Sequence, residues 1–245
     1  MSPAEIAYAV GVLLLAYFIR GISGFGSGLV AVPLLALMFP LPLVVPFILL
    51  LDFTASLVLG GLNFKLVRWD EVKPLVPFGM VGVALGTTLL VSLPKAPLLI
   101  GLGIFVLLFA VRSLLNLHGD KPASRWWAAP ASLIGGTVGG LFGTGGPPYV
   151  IYLAHRLKEA GQLRATLSGT FFLEGLFRIA SFVTAGLLVN VEVWRNYALG
   201  LPVALLALYA GSHVHTGLSN TQVKRVIGGL LLLSSLSLFV KACSI

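Results

Sequence analysis

The sequence predicts an all-α, polytopic membrane protein made of two inverted-topology repeats, and three observations lead there. Composition comes first: of 245 residues, 58% are hydrophobic and only 10% charged, with a mean hydropathy of +1.01. An average soluble domain carries roughly 25% charged residues. Next, the apolar stretches reach the length of about 20 residues that crosses a bilayer as a helix, without the alternation of a transmembrane barrel. Finally, one short pattern is used twice. Gly24-Phe25-Gly26-Ser27-Gly28 lies in the first apolar stretch and Phe142-Gly143-Thr144-Gly145-Gly146-Pro147-Pro148 in a later one, so Phe25 aligns with Phe142, Gly26 with Gly143, Ser27 with Thr144 and Gly28 with Gly145. Glycine costs a helix roughly 1 kcal/mol relative to alanine and proline about 3, so each run predicts a broken helix. In hydrocarbon, broken backbone is tolerated only where protein or a water-filled cavity receives its polar groups. The two breaks are therefore expected to face each other and form a substrate site.

Taken in order, the stretch from Ile6 to Phe39 is too long for one crossing and is expected to break between Gly21 and Gly28. Its start reads as a retained helix, not a secretory signal, since no Lys or Arg precedes the apolar run. Pro40-Leu41-Pro42 ends this element, because proline removes a donor and pushes its predecessor out of the α region. Spans are expected near Leu43 to Leu62, Pro74 to Leu93 and Pro97 to Leu117, with a polar loop from Asn63 to Lys73. The second half repeats the order: a broken stretch from Ala128 to Ala154, a charged loop from Arg156 to Arg164, and spans near Ala165 to Leu188, Tyr197 to His213 and Val223 to Lys241. Asp52 aligns with Glu174, Asp70 with Glu192 and Gly86 with Gly211, with small drifts that fit loop insertions. Landmarks kept in order predict a duplication: a first repeat over residues 1–117, a central loop 118–127 and a second repeat over 128–245.

Loop charge predicts orientation, because Lys and Arg concentrate in short cytoplasmic loops. The basic loops are Asn63 to Lys73, His118 to Trp127, Arg156 to Arg164 and the one holding Lys224 and Arg225. If all four are cytoplasmic, each broken stretch must go in and come back as a hairpin of two short helices. Hairpin plus three spans gives each half an odd number of crossings, which inverts the halves and leaves both termini outside. Inverted repeats with discontinuous helices are the architecture of many secondary transporters.

The glycine-rich break near the N-terminus, its repeat as Gly139-Gly140-Leu141-Phe142-Gly143-Thr144-Gly145-Gly146-Pro147, and the intervening acidic loop resemble the TauE/SafE family of membrane permeases across essentially the whole chain. That family is associated with export of sulfite and small organosulfonates such as sulfoacetate. The resemblance implies a small-anion permease of the cytoplasmic membrane driven by an ion gradient, with H+ as a candidate coupling ion. The first repeat departs from the family's usual run of three glycines, having Gly26-Ser27-Gly28-Leu29.

Half-helices that start after a glycine turn point free N–H groups and a positive dipole end at whatever lies in front of them. Gly26, Ser27, Gly28, Gly143, Thr144, Gly145 and Gly146 are therefore candidate anion contacts, together with the hydroxyls of Ser23 and Thr137. The alternative is close-packing glycine, with hydroxyls bonded back to their own helices. Arg20 and Arg178 are cations inside apolar sequence, where a charge must face protein or water. Either can neutralise an anion, or pair with a carboxylate: Arg178 with Glu174 four residues earlier, Arg20 with Asp52. Asp52 and Glu174 are candidates for a coupling proton or for structural pairing. His155 and Tyr152 are placed at the cytoplasmic mouth. Trp69, Trp126, Trp127 and Trp194 read as interfacial anchors.

Several functions are disfavoured. The net charge of +8 is spread over short loops, with no basic tail suited to nucleic acid. Cys243 is the only cysteine, so no intrachain disulfide or cysteine metal site is available. His213 and His215 lie on different helix faces, a poor metal pair, and no cofactor is implied. Gly21-Ile22-Ser23-Gly24 matches the G-x-S-G of rhomboid-type intramembrane serine hydrolases, but the second repeat has Gly140 where Ser23 stands, which suits transport better than a single nucleophile. An anion channel is the other rival. A homodimer is compatible with the sequence.

Overall fold

A computed structural model describes residues 2–23, 26–59, 64–115, 123–213 and 220–243, and the regular elements within them are helical. Helix α1, Pro3–Ser23, opens on a capping box: the Ser2 N–H donates to a Glu5 carboxylate oxygen at 2.7 Å, and the Glu5 N–H donates to the Ser2 hydroxyl. With 21 residues it is about 31 Å long, enough to cross the bilayer, a point that the hairpin expectation leaves open. No proline interrupts it. Helix α2, Ser27–Ala36, has ten residues and carries Pro33 inside it. At its far end the Lys241 ammonium donates to the Ala36 carbonyl at 3.1 Å and to that of Leu37, caring for carbonyls the helix leaves bare.

Helix α3, Leu41–Leu59, starts after Pro40 and continues through Pro46. The polar loop that follows folds into a 3₁₀ turn, Phe64–Leu66, and a short helix α4, Trp69–Val72. Then come α5, Val76–Ser92, α6, Lys95–Leu115, and a 3₁₀ turn at Arg125–Trp127. The second broken stretch gives α7, Ala128–Phe142, and α8, Gly146–Arg156. Helix α9, Ala160–Thr184, begins inside the charged segment read as a loop, and α10, Val191–His213, begins earlier than expected, with Glu192 in the first turn where a negative charge suits the dipole. Helix α11, Asn220–Cys243, closes the chain. Among the described residues three helices, α1, α3 and α6, hold apolar windows long enough to cross a membrane. Leu108 on α6, Leu199 and Leu206 on α10 and Val240 on α11 are more than 60% exposed, as lipid-facing side chains would be.

The chain divides into two compact units, residues 1–51, 93–118 and 192–245 in one, and 52–92 and 119–191 in the other, each drawing on both halves of the sequence. In the first unit α11 lies along α6, with the Phe239 ring seated on Gly103, and α10 meets α1 where Gly211 faces Gly21. A Cβ on Gly21 would lie 2.5 Å from the Leu208 carbonyl oxygen, so these backbones touch. In the second unit α5 and α7 pack the same way. A Cβ on Gly82 or Gly86 would collide with the backbone of α7 at Leu133 or Thr137, and one on Gly140 would lie 2.5 Å from the Val83 carbonyl oxygen. Small residues that let backbones approach are how membrane helices gain dispersion contact without a hydrophobic driving force. Gly86 and Gly211, aligned in sequence, thus make matching contacts on α7 and α1 in their separate units.

Candidate functional site

The two breaks are built alike. Gly26 and Gly143 adopt left-handed backbone, φ 95° and 70°, where a side chain would be strained. They are the aligned pair of the two sequence runs.

At the first break Arg20, from the last turn of α1, donates from Nη1 to the Ser27 hydroxyl at 2.9 Å, and both side chains are buried. Gly28 is buried in the next position of α2. The structure therefore joins two of the candidate residues directly. Gly24, Phe25 and the side chain of Ser23 lie outside the described residues, as do His215, residues 116–122 of the central loop and the side chains of Lys224 and Arg225.

The second break is a notch lined by glycine. Gly135 and Gly139, four apart on one face of α7, receive the start of α8: a Cβ on Gly145 would collide with the Gly135 carbonyl oxygen and sit 2.9 Å from the Gly139 N. Tyr149, one turn beyond Gly145, lays its ring on Gly135, donates its hydroxyl to the Ser132 carbonyl at 3.2 Å and meets Phe171 edge-on at 5.9 Å. Phe171 also borders Gly146. Tyr149 is 1% exposed.

Helix α9 brings the charge. A Cβ on Gly139 would lie 2.6 Å from Glu174 Oε1 and 3.8 Å from Arg178 Cζ, so the missing side chain admits both groups to the same notch. Arg178 Nη1 donates to the Gly139 carbonyl at 3.1 Å. Glu174 is 8% exposed, and neither of its oxygens has a hydrogen-bond partner among the described residues; the same holds for Arg178 Nε and for the buried hydroxyl of Thr144. A carboxylate and a guanidinium four residues apart on a helix would ordinarily join. Here each keeps unsatisfied atoms, and a buried unsatisfied polar atom costs about 1–3 kcal/mol.

Two expected contacts read differently in the structure. Thr137 donates its hydroxyl back to the Leu133 carbonyl at 2.8 Å and sits in the α5–α7 seam. Helix α8 has Pro147 and Pro148 in its first turn, which removes two of the N–H groups that a bare helix start would offer. Positive charge at this break therefore rests mainly on Arg178. At the first break α2 opens on Ser27-Gly28-Leu29-Val30 and keeps its full set of N–H groups. Asp52 lies on α3, half-buried, its carbonyl accepting from the Ser56 hydroxyl at 2.8 Å.

A separate ionic cluster ties down the far end of α8. Glu71, 4% exposed on α4, accepts from Arg156 Nη2 at 2.6 Å, from Arg156 Nε at 3.1 Å and from the Tyr152 hydroxyl at 3.1 Å; Arg125 stands at 3.6 Å. Arg156 also donates to the Ala123 carbonyl at 3.2 Å. The Arg156 hydrogen bond, aided by Tyr152 and by the charge of Arg125, holds the Glu71 carboxyl below its ordinary range against the opposing effect of burial. His155 stays on its own helix, Nδ1 lying 2.7 Å from the Ile151 carbonyl. Among the described residues no His, Cys, Asp and Glu cluster is suited to a metal. The tryptophans 69, 126, 127 and 194 are all exposed at element ends, as interfacial anchors would be.

Sequence reading missed Tyr149 and the Glu71 cluster. The four-residue step from Gly145 to Tyr149 was a usable signal, since it puts the ring over the break. Nothing in the sequence paired Glu71 with Arg156, 85 residues away.

An all-helical chain with lipid-facing apolar helices, two helix breaks and, among the described residues, buried polar atoms without hydrogen-bond partners at one of them has the build of a membrane transporter. The chain belongs to the sulfite exporter TauE/SafE family, whose model matches residues 9–238. It is similar to the probable inner membrane transporter protein TsaS of Comamonas testosteroni, 29% identical over 194 residues that cover 78% of this chain and 80% of that one. It is also similar to the probable membrane transporter protein MamO of Magnetospirillum gryphiswaldense, 24% identical over 71% of this chain but only 22% of that longer protein. No solved structure matches. The chain is thus a membrane transporter and not an enzyme.

Proposed function

We propose that the protein is a secondary carrier that exports a small anion, sulfite or an organosulfonate such as sulfoacetate, across the cytoplasmic membrane by alternating access coupled to an ion gradient. One observation carries the reading: at the second break Arg178, Glu174 and Thr144 hold buried polar atoms without partners among the described residues, where Gly139 and Gly145 let α7, the start of α8 and the Glu174 carboxyl come together. Arg178 gives the anion its counter-charge and Thr144 a hydroxyl donor. The break at Gly26–Gly28, with Arg20 engaged on Ser27, is a second polar point within its own unit. The family's description supports the substrate class. The matching left-handed glycines and the matching Gly86 and Gly211 contacts support a duplicated chain; the distribution of Lys and Arg over the loops supports inverted halves with both termini outside.

The test is uptake of labelled sulfite and sulfoacetate into liposomes holding the purified protein, preceded by a thermal-shift screen, since a site ligand stabilises by RT ln(1 + [L]/Kd). Arg178→Ala is expected to lower uptake at least tenfold while the protein stays monodisperse; unchanged uptake would sink the assignment of the site. Unitary currents in planar bilayers would replace the carrier by a channel.

A further inference from the structure

We infer that Glu174 and Arg178 form a charge-compensated site in which a monovalent oxyanion and one proton bind together or not at all. The inference rests on the carrier reading and names the ion that travels with the cargo and the charge of that cargo; because a co-transported proton favours the alkaline side, export from an alkaline cytoplasm then runs on the anion's own gradient.

Geometry leads to it. Glu174 Oε1 and the Arg178 guanidinium border the same point, the vacant Cβ position of Gly139, with the Gly145 Cα 3.6 Å from that point. The carboxyl is more than nine-tenths buried and neither oxygen is hydrogen-bonded among the described residues. Arg178 spends Nη1 on the Gly139 carbonyl and keeps Nε unused. The charged and titratable groups around Glu174 are few. Arg178 lies on its own helix, and Tyr149 reaches in from α8. Helices α5 and α7 carry no titratable residue. Helix α4 contributes Asp70 and Glu71, the latter held by Arg156, and Lys65 lies in the preceding 3₁₀ turn. Helix α3, whose Phe53 touches Gly175, carries Asp52.

Charge balance then dictates the coupling. In the empty site an ionised Glu174 and Arg178 sum to zero. A monoanion added to that pair would leave one uncompensated negative charge in buried surroundings, which is strongly unfavourable. If the carboxylate takes up one proton as the anion arrives, the sum is again zero: the carboxyl is neutral, its O–H donates to an anion oxygen, and the guanidinium faces the anion. On release the proton leaves Glu174, and the carboxylate resumes the role of counter-ion. Both states are neutral, so both can reorient without moving charge through the membrane field. A dianion would need a second proton that the notch does not supply, so monoanions such as bisulfite or methanesulfonate are favoured over doubly charged sulfoacetate.

The experiment is static-head accumulation of labelled methanesulfonate in liposomes holding the full chain, with valinomycin and potassium setting the potential and entrapped pyranine reading protons. A gradient of one pH unit is expected to give about tenfold anion accumulation on the alkaline side. An imposed potential of about 100 mV, worth ~2.3 kcal/mol per charge, is expected to leave that ratio unchanged, whereas uncoupled anion movement would shift it about fifty-fold. Anion movement that follows potential and ignores pH overturns the inference and leaves the carrier reading standing. Absence of flux for sulfite, methanesulfonate and sulfoacetate alike overturns both. In Glu174→Gln, whatever anion exchange survives should carry less than about a tenth of the wild-type proton count per anion. An undiminished count would overturn the assignment to Glu174, and the wild-type measurements stand even where that variant is inactive.

Discussion

Replacing Arg156 by methionine should show how strongly the end of α8 is fastened. The Glu71 carboxylate is 4% exposed and takes two hydrogen bonds from that one guanidinium, at 2.6 and 3.1 Å. Charge-assisted bonds contribute about 1.5–3 kcal/mol each. Removing one partner of a buried pair typically costs about 3–5 kcal/mol, because the other charge is left buried and alone. Arg156→Met is therefore expected to lower the unfolding free energy by about 3–5 kcal/mol, read by SDS titration in mixed micelles. Glu71→Gln keeps an acceptor for the Tyr152 hydroxyl and should cost less, about 1–2 kcal/mol, since the Arg156 side chain is 24% exposed and retains the Ala123 carbonyl. The double variant should lose about 2–3 kcal/mol less than the sum of the two single losses, because neither charge is then stranded. Arg125, at 3.6 Å and 63% exposed, is the internal control: Arg125→Ala should cost under ~1 kcal/mol. A coupling below about 0.5 kcal/mol between Glu71 and Arg156 would refute the reasoning, reducing the pair to an ordinary surface contact.

The same cluster sets an acid limit. The Glu71 carboxyl is depressed in the folded protein, so its contribution is fully present above the ordinary carboxylate range near pH 4.5 and is lost as pH falls through the depressed value; Glu71→Gln should flatten the melting temperature across that window. Gly86→Leu should prevent α5 from seating on α7 and abolish monodisperse expression, because its Cβ would meet the Thr137 carbonyl; Leu85→Ala, at a 51% exposed position, should be tolerated. Lys241→Met should free the carbonyls at the end of α2, costing about 1 kcal/mol and raising amide exchange over Leu35–Leu37. Serine-directed fluorophosphonates should leave Ser23 unlabelled, as expected of a transporter; labelling would revive the hydrolase reading.

Much of this was legible in the residues. The two breaks showed themselves because glycine and proline act locally, and Gly26 and Gly143 do what the pattern required, each taking a left-handed turn. Span limits were right to a few residues wherever proline or a charge cluster marked an end. Helix α9 was missed at its start because Gln162 and Arg164 read as loop, although glutamine and arginine are good helix formers. What stayed hidden was partnership. The glycines of α5 look like generic small residues until Gly136 and Gly140 are seen against them. The prolines of α8 advertised a break, yet they also delete the donors that the break seemed to promise. Arg178 and Glu174 read as a probable pair from their spacing; their separation around the empty side-chain position of Gly139 is a matter of three dimensions.

The seam between Gly21 and Gly211 carries a consequence for biogenesis. Helix α1 leaves the ribosome about 190 residues before the helix whose backbone it must touch. At roughly 5–20 residues per second, α1 waits on the order of 10–40 s with an unfilled glycine face in the lipid, while Gly82 and Gly86 await α7 for about 3–10 s. The second unit can close during synthesis; the first must be held open for α10. A chaperone or insertase that shelters nascent helices would thus act chiefly on α1. Truncation before α10 should leave a product that is inserted but marked for degradation.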